Sequence, residues 1–128
     1  MKFVNYNANP KNKKTGDCVI RSISTALDKD YWEVVEDLMK VYKKTGHIIN
    51  SKQCFQKYLK ELGYEMQKMP RKPDNTRYNI QQFTRELAKP NKKYIISVAN
   101  HLTCIKNLEL IDLWDCSYKF IGNYWVID

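Results

Sequence analysis

No stretch of the 128-residue chain approaches the roughly 20 consecutive apolar residues that a membrane-spanning helix needs. Asparagine and tyrosine interrupt the opening Met1-Lys2-Phe3-Val4-Asn5-Tyr6-Asn7, where a secretory signal would place its apolar segment. No membrane association is therefore expected, and the expected compartment is the cytoplasm. A glycine-rich phosphate loop is also missing, which removes the common nucleotide-binding motifs. Cys18, Cys54, Cys104 and Cys116 do not combine with His47 and His101 in the paired short spacings of a zinc module. The close pair His101-x-x-Cys104 falls in a strand-like run, where residues three apart face opposite ways. Neither a metal nor a cofactor is expected, and a cytoplasmic chain with a sizeable core is expected to keep its cysteines as thiols. Internal repeats and low-complexity tracts are absent too, so residues 1–128 are read as one domain.

What is present is the composition of a folded globular protein, with 43% hydrophobic against 28% charged residues. The net charge of +8 is dispersed over Lys11, Lys13 and Lys14, over Lys43 and Lys44, and over Lys89, Lys92 and Lys93. Dispersed lysine is the pattern of a solvated surface, and no nucleic-acid-binding module is recognisable. The expected partner is a protein or peptide, with acidic character favoured by the charge, rather than nucleic acid.

Helices come first. Val19, Ile20, Ile23, Ala26 and Leu27 recur at helical spacing and predict a helix over about 17–28, edged by the small residues Cys18, Ser22 and Thr25. Asp30-x-x-Glu33 opens a second helix that ends at Gly46, with Tyr31, Val35, Leu38, Met39 and Tyr42 on one side. A third runs from Ser51 to Gly63 on Phe55, Tyr58, Leu59 and Leu62. Residues 68–77, basic and with two prolines, read as a loop available to line a cleft. A short helix follows, capped by Asn79 with Gln82, and Tyr78 is placed to staple against Phe83.

Strand-like runs then occupy 94–98, 101–105, 109–114 and 123–127. This segregation predicts an α+β fold in which the N-terminal helices pack on a C-terminal antiparallel sheet.

Chemistry concentrates at Cys18. Gly16-Asp17-Cys18 delivers a thiol onto the first turn of a helix, where unpaired N–H groups and the helix dipole favour thiolate. A cysteine hydrolase further needs a base and a group to orient it. His101 is the candidate base, and Asp112 or Asp115 the orienting acid. Strand alternation puts His101, Thr103 and Ile105 on one face. A hairpin loop of even length near Lys106-Asn107-Leu108 places Asp112 and Trp114 on that face, and an odd loop places Asp115 there instead.

Gly-Asp-Cys at a helix start, a histidine opening a later strand, and Asp112-Leu113-Trp114 ending the next resemble the papain-like cysteine peptidases. The pattern is most similar to compact members such as bacteriocin-processing peptidase domains and small phage-encoded proteins of that type. The resemblance implies a papain-like fold and a Cys18-His101-Asp112 triad acting through a thioester, with Trp114 shielding the pair. Members carry a glutamine about six residues before the cysteine as an oxyanion donor, and Asn12 stands there in this chain, beside the Cys18 backbone N–H. A peptidase or amidase is the leading expectation. A non-catalytic scaffold of the same type that inhibits a host protein is the alternative, and a nucleic-acid binder using Tyr, Trp and Lys is the third.

Overall fold

Strand alternation divides the interior into two cores, one on each face of a central sheet. The computed structural model describes residues 1–128 as β1 (Lys2–Asn5), α1 (Cys18–Leu27), α2 (Tyr31–Thr45), α3 (Lys52–Glu61), β2 (Met66–Gln67), α4 (Ile80–Glu86), β3 (Lys93–Val98), β4 (His101–Lys106), β5 (Glu109–Asp112) and β6 (Tyr124–Ile127). The six strands lie in the order β1-β5-β4-β3-β6-β2. Ile95, Leu102, Cys104, Trp125 and Ile127 point to the face covered by α1, α2 and α3. Tyr94, Ile96, Val98, Ile105 and Leu110 point to the other, against Ile80 and Phe83 of α4 and against Cys116 and Ile121. The fold is thus α+β, four helices on an open mixed sheet.

The mixed character is a departure from the expected antiparallel sheet. β3, β4, β5 and β6 pair antiparallel, but β1 runs parallel to β5 from Lys2↔Glu109 to Asn5↔Asp112. The Lys-Phe-Val-Asn segment is too short to announce a strand, and only its pairing partner makes it one. β2, two residues beside Trp125 and Tyr124, went unforeseen for the same reason. β5 also stops at Asp112, two residues before the expected end. The buried side of α2 is Tyr31, Val34, Leu38 and Val41, one position round from the expected stripe, and Met39 is exposed. Tyr78 and Phe83 do share a core, above a complete Asn79–Gln82 capping box.

Two local features set the site. The β4–β5 loop is Asn107-Leu108, both at positive φ (54° and 60°), as a two-residue primed turn requires. Cys104 then faces Ile111, and the same register carries Asp112 to Thr103. The second feature is a pin: the Ser22 hydroxyl of α1 donates to the Leu102 carbonyl of β4 at 2.7 Å. Both groups are buried, so Ser22→Ala leaves that carbonyl without its side-chain donor. We expect a loss of about 1–2 kcal/mol in urea denaturation, accompanied by slower alkylation of Cys18 as α1 loosens from β4.

Candidate active site

Cys18 is the first residue of α1, and what precedes it leaves the helix start open. Asp17 sits at the capping position without capping. Its carboxylate instead accepts from Arg21 Nε (2.7 Å), the Tyr31 hydroxyl (2.6 Å) and Asn9 Nδ2 (3.0 Å). The backbone N–H groups of Cys18, Val19 and Ile20 therefore have no protein partner and present a partial positive charge to the thiol.

His101, at the start of β4, faces this helix end. Its Nε2 lies 2.7 Å from Asp112 Oδ2. With a carboxylate there, Nε2 carries the proton and donates it, which leaves Nδ1 for the sulfur. Burial alone would lower the His101 pKa. The hydrogen bond and charge of Asp112, with the neighbouring Cys116 and Cys18 thiols, outweigh it and raise the pKa to about 11. Burial likewise pushes the Cys18 thiol up, but the His101 imidazole, a backbone hydrogen bond from Leu102 and the charges of His101 and Arg21 bring it below its ordinary value. Both shifts run in the direction that favours thiolate beside imidazolium.

Asp112 is the hub. Its Oδ2 accepts from His101, from the Thr103 hydroxyl (2.6 Å) and from the Cys116 thiol (3.7 Å). Its Oδ1 accepts from Arg21 Nη1 (3.1 Å) and the Leu113 N–H (2.7 Å). Burial pushes this carboxyl up, and His101 and Thr103 more than reverse the shift. Arg21 thus ties Asp17 to Asp112. Sequence reasoning passed over it, although Asp17 and Arg21 stand four apart at a helix start, and Arg21 lies between Ile20 and Ile23 of the apolar stripe. Thr103 was missed as a partner of Asp112 because only the hairpin register brings the two together, and Cys116 because it reaches Asp112 through the irregular segment that follows β5.

Other sequence candidates end up elsewhere. Asp115 is exposed and accepts from the Ser117 N–H in a local turn, so the even hairpin loop settles which aspartate meets His101. Asn12 is exposed at φ 52°, its amide oxygen is taken by Asn7, and it does not line the cleft. The oxyanion position assigned to it is corrected accordingly: Asn12, at a left-handed turn, is not among the residues that wall the cleft. Residues 68–77 do not line the cleft either, and Arg77 is bound to the Ile121 carbonyl. Trp114, 38% exposed, stands with its ring 5.0 Å from the His101 ring. The cleft, about 590 Å³, is walled by Cys18, His101, Trp114, Phe55, Val98 and neighbours.

Ligand atoms of His101, Asp112 and Cys116 lie within 4.8 Å of one another. Two ligands on one tetrahedral zinc stand about 3.3 Å apart, given bonds of about 2.0–2.1 Å. The His101–Asp112 separation of 2.7 Å is instead that of a hydrogen bond, and Oδ2 already accepts from three donors. The cluster fits a proton-orienting site better than an ion site.

Comparison with protein-family models, with curated proteins and with solved structures finds no match. The geometry of the site stands on its own.

Two predictions arise from the charge chain. Arg21→Met leaves Asp17 and Asp112 buried without their shared cation, and should cost about 3–5 kcal/mol in urea denaturation. The second concerns pH. His101 is protonated well above its ordinary 6.5, so its contribution to stability is complete below pH 6.5 and is lost as pH rises toward about 11. Asp112 is depressed from 3.8, so its contribution is complete above that pH and is lost as pH falls through the folded value. Cys18 is depressed from 9.0 and gains stability as pH rises toward that value, opposing the His101 decline. Cys18→Ala should therefore lose more stability than the parent between pH 6.5 and 9.0, as measured by urea midpoints across that range.

Proposed function

We propose that the protein is a papain-like cysteine hydrolase acting on peptide or amide bonds. The observation that carries this reading is that Cys18 and His101 wall the same cleft beside an uncapped helix start, with His101 hydrogen-bonded to the buried carboxylate of Asp112. A buried cysteine used only for packing has no need of an imidazolium, nor of a carboxylate buried behind it.

In the proposed reaction the Cys18 thiolate attacks the substrate carbonyl carbon, and the carbonyl electron pair moves to oxygen. The free N–H groups of α1's first turn are the donors available to that oxyanion; they replace the Asn12 amide in this role. On collapse the C–N bond breaks, His101 Nδ1 gives its proton to the leaving amine, and a thioester remains. Water then loses a proton to His101 and attacks the thioester; the C–S bond breaks, releasing the acid and restoring the thiolate–imidazolium pair. Asp112 keeps Nε2 protonated throughout, fixing the tautomer and stabilising the cation. Trp114 and Phe55 limit water around the pair.

The test is alkylation of Cys18 by iodoacetamide as a function of pH. The parent should react well below the ordinary thiol pKa of about 8.5, whereas His101→Ala should react only as that pH is approached. Equal, slow labelling of both proteins would refute the hydrolase reading and leave a scaffold for binding.

A further inference from the structure

We propose that the cleft selects an acyl group bearing a carboxylate, so that its substrates are acidic peptide segments; this rests on the hydrolase reading above. Lys14, Arg21 and Lys52 line the cleft, and no Asp or Glu does. Arg21 is neutralised by Asp17 and Asp112. Lys14 and Lys52 are exposed and neither makes a salt bridge or a side-chain hydrogen bond. Their positive charge is free for a ligand.

The helix ends reinforce it. Lys52 opens α3, the helix end where the dipole disfavours a cation, and no acidic residue occupies the first turn of either α1 or α3. In contrast α2, whose start does not line the cleft, has Asp30 as its cap and Glu33 in its first turn. One helix start without a carboxylate, that of α3, and two unpaired lysines converge on one cavity. That arrangement costs the free protein electrostatically and is relieved by an incoming anion. Asn50 and Asn100, which also line the cleft, add uncharged amides that can hydrogen-bond a carboxylate.

The test compares iodoacetate with iodoacetamide at Cys18, each rate divided by that for free cysteine to remove the reagents' difference in intrinsic reactivity, in the parent and in Lys14→Gln/Lys52→Gln. At low salt iodoacetate should exceed iodoacetamide by roughly fivefold or more, as expected for two partly screened charges. The double variant should lose most of that preference, read as the ratio of the two rates so that a change in thiolate reactivity common to both reagents cancels, and added salt should shrink the preference in the parent. A peptide vinyl sulfone with glutamate beside the electrophile should outpace its glutamine counterpart by a similar factor, with the same dependence on Lys14 and Lys52. Equal rates for charged and neutral reagents, or a preference that survives in the double variant, would overturn the proposal. So would a cleft occupied by polynucleotide, with salt-sensitive affinity lost in the double variant and no anion preference at Cys18. The His101 dependence of the iodoacetamide rate reports separately on the hydrolase reading.

Discussion

The buried ion series from Asp17 through Arg21 to Asp112, ending on His101 beside Cys18, is the constraint on which the site depends. Each of these ions would be costly to bury alone, and each is tolerated because its neighbours carry the opposite sign. No buried side-chain nitrogen or oxygen in the protein lacks a hydrogen-bond partner. A chain of this kind contributes less to net stability than to definition of geometry. Moving one member strands the next, so the imidazole has one favourable orientation, at the cleft that Cys18 also lines.

The fold serves this chain economically. One edge of α1 supplies Asp17, Cys18, Arg21 and Ser22, at successive helical turns. Ser22 fixes that edge to β4, and the tight Asn107-Leu108 turn fixes β5 to β4, so three elements meet at a defined register. β1 adds a parallel edge strand beside β5, with Asn5 paired to Asp112. The cleft lies between the start of α1, the start of α3 and the β3–β4 turn, where loops can vary without disturbing the chain of charges.

Much of this was legible in the residues. Helical periodicity located α1, α2 and α3, and strand alternation separated His101 from Cys104, which lies in the opposite core. The aspartate could be chosen only conditionally, because parity depends on a loop length that composition does not fix; the observed two-residue loop chooses Asp112. Asn12 was misplaced because spacing from a cysteine says nothing about a left-handed turn between them. Arg21 was overlooked because an arginine on a helix is ordinarily solvated, and its burial follows from carboxylates supplied by both α1 and β5. β1 and β2, of four and two residues, exist only by pairing, which no local pattern encodes.

The central claim is that folding creates a sulfur anion beside a charged imidazole at neutral pH. It is tested most directly by following the His101 ring by NMR and the thiolate by ultraviolet absorbance in one pH titration, with Cys18→Ala as the absorbance reference. The account predicts a protonated ring and a Cys18-dependent thiolate signal together at pH 7. A neutral ring at pH 7, with thiolate absorbance emerging only near the ordinary cysteine pKa of about 8.5, would contradict it.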